Sequence, residues 1–325
     1  MVETLEQVEL CILPLNTSCM STLVSPNATL IKTLWYCIAL LTVMLNLLVI
    51  ISISHFRQLH TTTNVFLLSL AVSDFLVGLA VMPAAVAQQS CWFLDKITCA
   101  LLLLLTFILT SSSVGSMVLI SVDRYVAICV PLHYSSMITT NRAKICVSLC
   151  WICSVIYNFI ILKDHLSQID MFNPCPQECT LVMSSISGVV DFIVTFFCPV
   201  TVIIVLYMRV FVVAVSQARA MRSQIVAVKL RTQTVIVKKS EMRAARTLGI
   251  VLLVFIVCLC PYYCPSLAGQ ETKGNDSSAQ IWLFYFNSSL NPLIYAFFYP
   301  WFRKSIKLIV SLQILQQHSC EVKII

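Results

Sequence analysis

Two carboxylates interrupt otherwise apolar stretches of this chain, Asp74 and Asp191. A charged side chain at mid-depth in a membrane helix costs roughly 2.5–3.5 kcal/mol on insertion scales, so an acid in such a place calls for a use. Asp191 precedes Pro199 by roughly 8 residues, ~12 Å of helix, which sets it about two turns below the outer end of its stretch. Thr195 and Cys198 follow at i+4 and i+7, a stripe expected to point into a bundle rather than into lipid. Neutralisation by a Lys or Arg of the chain itself is the competing reading. From Lys32 to Arg303, however, every basic residue falls at or beyond the end of an apolar stretch. A carboxylate left unpaired and reachable from outside is poised to bind a cation from solution.

Helical spacing suggests the walls of that site. Thr106, Phe107 and Thr110 share a stripe that continues to Ser113, while Tyr262, Tyr263 and Ser266 sit about one turn beyond Pro261 and Tyr285 completes the set. Aromatic faces attract a desolvated ammonium group by up to ~2 kcal/mol, although plain packing explains any one of these rings equally well. Asp74 is of another kind. At its depth lie Ser113, Asn287, Ser288 and Asn291, whose oxygens suit a hard monovalent cation such as sodium, or a water cluster. A hydrogen-bonded structural acid is the alternative. At the opposite end of the molecule, Arg124 of Asp123-Arg124-Tyr125 is placed to pair with Glu241 in a resting state and to release it when that segment moves. Snorkelling of Arg124 to the interface would explain it without any partner.

These residues need membrane-crossing helices to hold them. Of 325 residues 59% are hydrophobic and 11% charged, with a mean hydropathy of +0.91 and only 6 Gly. Soluble domains carry roughly 25% charge, and disordered or collagen-like chains bury far less apolar surface, so both classes are excluded. About 20 apolar residues cross ~30 Å of hydrocarbon. Seven stretches qualify, near 32–54, 64–87, 97–129, 143–162, 184–213, 244–268 and 279–298. The expected division is an outer segment 1–31, an all-α seven-helix bundle 32–298 and an inner segment 299–325.

Orientation follows from Lys and Arg, which resist translocation. One side collects 17 of them and the other holds four, Lys32, Lys96, Lys163 and Lys273, so the N-terminus is expected outside. The net charge of +7 thereby reflects topology and not a nucleic-acid-binding face. No secretory signal is visible near Glu3, Glu6 and Glu9, and the first span is expected to target the chain. Sequons at Asn16, Asn27 and Asn275 fall on the outer side, whereas Asn287-Ser288-Ser289 lies within a span, beyond the reach of glycosylation. Of 16 Cys most behave as small hydrophobes; the six on the outer side are Cys11, Cys19, Cys91, Cys99, Cys175 and Cys179. Their pairings stay open at this level, and a Cys99–Cys179 bridge would tie the second outer loop over the bundle.

An enzyme is not expected, since the spans hold no metal-ligand cluster and no nucleophile beside a base. A retinal pigment would need a lysine in the last span, and none lies between Lys273 and Lys304. A seven-helix transporter or pump remains the alternative class, without the internal repeats or paired acids that would favour it.

One set per span, in order, Asn46, Asp74, Asp123-Arg124-Tyr125, Trp151, Pro199, Tyr207, Phe255, Pro261 and Asn291-Pro292-Leu293-Ile294-Tyr295 resemble the landmarks of rhodopsin-like G-protein-coupled receptors. The run from Asn287 to Pro292 through Tyr295, Tyr299, Trp301 and Phe302 is similar to the fingerprint of trace amine-associated receptors. The resemblance implies an amphipathic eighth helix after Tyr299, an amine ligand and a heterotrimeric G protein, with stimulatory coupling through cyclic AMP. It further implies a place in the plasma membrane of olfactory neuron cilia. Asp123, Arg124, Tyr125, Tyr207, Glu241, Phe255, Asn291, Pro292 and Tyr295 would form the coupling switch, and a sodium ion is the implied allosteric ligand. It also implies the Cys99–Cys179 bridge and a bridge from Cys175 to Cys11 or Cys19, with Cys91 left for the other.

Two departures from the pattern matter. The aspartate that amine receptors carry eighteen residues before the arginine is Thr106 here, and a fish-expanded branch of the family is similar in carrying its acid in the fifth span instead, where Asp191 stands. Leu259 replaces the usual tryptophan two residues before Pro261, which leaves the activation route and the resting activity open. The ligand itself is not legible: Asp164, Asp170 and Glu178 keep diamines open, and a receptor of the same fold for a non-amine ligand is a further alternative.

Overall fold

The computed structural model describes residues 26–88, 96–163, 185–225, 249–250, 253–263, 275–316 and 319–322, which form helices and turns without a strand. Seven helical segments make the bundle. The first span is Pro26–His55. The second runs from Thr62–Leu76 through a π-helical segment, Val77–Val81, into Met82–Gln88. The third is Lys96–Cys129 and the fourth Thr140–Ile161. The fifth starts as Ser185–Asp191, passes through a second π-helical segment, Phe192–Phe197, and continues as Cys198–Ile225. The sixth is described at Leu253–Tyr263 and the seventh is Asn275–Phe298.

Ends are set by local chemistry. The Thr61 side chain accepts from the Asn64 backbone N–H and Thr139 from that of Arg142, each satisfying a free donor of a helix start. Pro131 and Pro300 open the short helix Pro131–Met137 and the eighth helix Pro300–Val310, where a missing N–H is no loss. The first and seventh helices begin earlier than the apolar stretches, at Pro26 rather than 32 and at Asn275 rather than 279. Hydropathy marks the lipid thickness, whereas a helix continues into the polar layer as long as its backbone bonds are made.

Five of the described helices are long and apolar enough to cross a membrane, and the bundle is turned inside out relative to a soluble one. Leu30, Ile160 and Ile186 are 71%, 69% and 78% exposed, while Asn46, Ser73, Asp74, Ser112 and Asn291 are fully buried. Lipid removes the hydrophobic drive between helices, so small and polar side chains mediate their contacts. Trp151 Nε1 donates to Ser69 Oγ at 3.0 Å, and Ser69 meets Ser116 at 2.9 Å, tying the second, third and fourth spans. Gly115 faces the Cys150 sulfur with no room for a Cβ. The eighth helix lays Trp301 and Leu308 against Phe56 and Leu59 and buries Phe302 completely.

Candidate functional site

The fifth span delivers Asp191 to the bundle interior, 5% exposed. The expected stripe holds at Thr195, which is buried, and fails at Cys198, which is exposed. The reason is the π-helical segment that starts directly after Asp191: its wider turn advances the register, so Phe196 is the next residue turned inward.

Hydroxyl groups from three helices meet at this acid. Tyr157 of the fourth span donates to Asp191 Oδ1 at 3.1 Å. Thr195 Oγ1 donates to the Asp191 main-chain oxygen at 2.6 Å and shares a 3.0 Å hydrogen bond with the Tyr263 hydroxyl of the sixth span. Tyr262 and Tyr263 both stand within electrostatic reach of the carboxylate. Among the described residues the ion pairs are Arg124–Asp123 and Arg57–Glu321, so no basic side chain described here pairs with Asp191.

Aromatic rings continue from this corner. Phe196 stacks on Tyr263 at 4.9 Å, Tyr262 meets Tyr263 edge-on at 5.0 Å, and Tyr262 approaches Phe284 at 5.1 Å. Tyr285 packs edge-on to Phe284 and to Trp282, which stacks on Trp35 at 3.9 Å. Tyr285 lies beside the Thr106 side chain, which donates to the Leu102 carbonyl. Phe107 and Thr110 are half-buried, with Thr110 bonded back to the Thr106 carbonyl. Ser266 lies outside the described residues.

Asp74 is fully buried and accepts from Asn291 Nδ2 at 2.8 Å and from the Ser288 side chain. Its Oδ1, together with Oδ1 of Asn287 and of Asn291, is buried without a hydrogen-bond partner among the described residues. The free oxygen of Asp74 and that of Asn291, whose amide already bonds this carboxylate, fit the donor set of a small hard cation. The Ser113 hydroxyl shares a 2.8 Å hydrogen bond with Ser73, the residue before Asp74.

Near the end of the third span Arg124 Nε donates to Asp123 Oδ2 at 3.0 Å, and Nη2 donates to Asp123 and to Thr63 Oγ1. Thr63 donates to Asp123 at 2.7 Å and Tyr134 to the other carboxylate oxygen at 2.9 Å. Burial, then the Asp123 charge, push the Tyr134 phenol up to about 12, so it stays a donor near neutrality. Glu241, the expected partner of Arg124, lies outside the described residues. Tyr207 and Tyr295 hold buried hydroxyls with no partner among the described residues, and Tyr207 packs against Gly249. Tyr125 packs with Ile128 and Val210, while Phe255 and Leu259 share one buried cluster with Tyr263, Ile294 and Tyr295. Pro292 lies inside the seventh helix. Cys99 is disulfide-bonded; Cys179, Cys175, Cys91, Cys19, Cys11 and Asn16 lie outside the described residues, and Asn27 and Asn275 fall in the first turns of their helices.

Tyr157, Thr63 and Tyr134 were not legible as site residues. Tyr157-Asn158 is a polar pair in an apolar stretch, and Asn158 is fully buried with its amide donating to Ser111 at 3.0 Å, which is the signal that its neighbourhood turns inward.

Residues 45–295 match the sequence profile of the 7 transmembrane receptor (rhodopsin family). The chain is 36% identical over 299 residues to trace amine-associated receptor 1 of Mus musculus, covering 88% of this chain and 90% of that one. It is 37% identical to trace amine-associated receptor 8a of Rattus norvegicus, covering 96% and 95%. With trace amine-associated receptor 13c of Danio rerio it shares 37% identity, covering 87% and 86%.

Proposed function

The chain belongs to the rhodopsin family of seven-transmembrane receptors, among its trace amine-associated receptors, and on that premise we propose that it binds a protonated amine at Asp191 and signals to a heterotrimeric G protein. It is a multi-pass membrane receptor and, like its family, not an enzyme.

The observation that carries the amine reading is a buried carboxylate without a described cationic partner, surrounded by hydroxyls and aromatic faces. An ionised acid so placed is costly to leave unpaired, and an ammonium group supplies both the charge and the N–H donors that balance it. Thr106 occupies the third-span position where other amine receptors place their acid, and its hydroxyl donates to the Leu102 carbonyl beside Tyr285. The ammonium end therefore faces the fifth span and the apolar part extends over Tyr285. Asp191→Asn removes the charge at nearly constant shape; amine responses in a cyclic AMP reporter are expected to vanish with surface expression intact. An unchanged dose–response curve refutes the assignment.

The Asp123–Arg124 pair, held by Thr63 and Tyr134, is the resting form of the inner switch, and binding of the G protein draws Arg124 out of it. Asp74 with Asn287, Ser288 and Asn291 is a sodium site whose charge compensation favours the resting bundle. Stimulatory coupling through cyclic AMP, an outer N-terminus and a place in the plasma membrane of olfactory cilia complete the reading.

A further inference from the structure

We infer that the segment following the eighth helix restrains the Asp123–Arg124 switch, acting through the loop between the first and second spans; this rests on the reading of that pair as the resting form. The segment turns back on the bundle. Just beyond Pro300–Val310 the backbone of Leu312 enters the left-handed region, φ 56° and ψ 12°, the one non-glycine residue with positive φ among the described residues. Such a backbone is uncommon for a residue with a side chain and persists where surrounding contacts hold it. Two short 3-10 turns follow, Gln313–Leu315 and Ser319–Glu321, and the second reaches the end of the first span. Ser319 is buried there and donates to the Ile314 carbonyl at 2.6 Å, so the proton in its 3.0 Å bond with His55 comes from His55 Nε2. The Gln58 amide donates to the Glu321 carbonyl at 3.4 Å, and Arg57 lies 3.8 Å from the Glu321 carboxylate. That ion pair is largely exposed and contributes little, which leaves the buried hydroxyl as the firm contact.

The loop held in this way carries the base of the switch. Arg57–Leu59 is a single 3-10 turn, with Leu59 fully buried beside Trp301 and Leu308 of the eighth helix. The Leu59 carbonyl accepts from the Asn64 side chain at 2.8 Å and from the Thr61 N–H at 2.8 Å, and Thr61 caps the second span. Next to Asn64 stands Thr63, which donates to Asp123 and accepts from Arg124. Each step from Ser319 to Arg124 is therefore a hydrogen bond or a short stretch of fixed backbone. Contiguity alone does not couple two sites; an element with two arrangements must lie between them. The turn Ser319–Glu321 is such an element, because neutral hydrogen bonds and an exposed ion pair are weak enough to open and close. Closed, it keeps the first turn of the second span against Asp123. Open, it lets Thr63 yield, and Arg124 leaves its partners more readily.

The test uses the full chain in cells without ligand, at matched surface expression, with resting output read through cyclic AMP and through a promiscuous calcium-coupled G protein. Ser319→Ala is expected to raise resting output about twofold to tenfold, as the loss of a neutral hydrogen bond implies. Replacing residues 316–325 by a Gly-Ser sequence of equal length raises it at least as much. Arg57→Glu raises it by about twofold, and adding Glu321→Arg in the same chain returns it. A contact that only supports the fold would act in the opposite direction, lowering surface expression and resting output together. In purified receptor carrying the Gly-Ser replacement, the amides of Leu59, His60 and Thr61 are expected to exchange hydrogen about tenfold faster. Unchanged exchange overturns the inference. Thr63→Val separates the two layers: it is expected to raise resting output by itself, and Ser319→Ala in that background adds nothing further. If Thr63→Val raises the output while Ser319→Ala and the Gly-Ser replacement leave it unmoved, the switch reading stands and the restraint is overturned. Full additivity of Thr63→Val and Ser319→Ala overturns it as well, since the effect would then bypass Thr63. If none of these variants raises resting output, the switch reading and the restraint fall together.

Discussion

Asp74 and Asp191 are acids of the same type, both nearly or fully buried in one bundle, and their surroundings differ. Asp74 accepts from the Asn291 amide and the Ser288 side chain of the seventh span, and the Asn291 amide oxygen has no partner among the described residues. Around Asp191 the neighbours are hydroxyls and aromatic rings from the fourth, fifth and sixth spans. Convergent oxygens suit a spherical ion, which needs ligands from several directions and offers no protons. Acceptors on one side and apolar faces on the other suit an ammonium carried on an organic chain. Buried charge alone thus does not identify a ligand site; the company of the acid does.

The comparison can be broken most directly at Asp191. Asp191→Asn is expected to lower amine potency by more than about a hundredfold, in line with losing a charge-assisted hydrogen bond and its Coulomb attraction. Asp74→Asn is expected to spare amine recognition, so equal losses in the two variants would erase the distinction.

Thr106→Asp adds a second anchor across the site. It is expected to admit amines in the reversed orientation or to broaden the panel, with potency changes of about tenfold. An unaltered ligand profile in a reporter screen would count against a site that spans both helices.

Asp74→Asn sharpens the other half. Replacing sodium by N-methylglucamine is expected to shift agonist affinity of the unaltered chain by about tenfold or less and to leave the variant unmoved, within the usual range of coupling between sites. A sodium effect that persists in the variant removes the ion from Asp74.

The smallest effect is expected at Thr195, which links Asp191 to Tyr263. Thr195→Val should cost about threefold to tenfold in potency, with Thr195→Ser restoring it, since a single neutral hydrogen bond is worth about 1 kcal/mol. Dose–response curves at matched surface expression decide it.

Legibility differed between these parts. Asp74 and Asp191 were visible because membrane helices tolerate few charges, and the wall residues Thr195, Tyr262 and Tyr263 followed from spacing. Cys198 was misplaced because the spacing argument assumes a uniform 3.6-residue turn, and the π-helical segment after Asp191 breaks it. Tyr157 escaped because a tyrosine in a span usually packs, and its hydroxyl gains meaning only from an acid 34 positions away.

The chain's composition and order of polar residues determined the class of molecule, the number of spans and the two acids at issue, because hydrocarbon penalises charge and unpaired backbone wherever the fold places them. Which hydroxyl faces which carboxylate was decided only by the packed bundle. Helix rotation, the π-helical segment and the crossing of the fourth, fifth and sixth spans set those distances, and a hydrogen bond is made or lost within about an ångström.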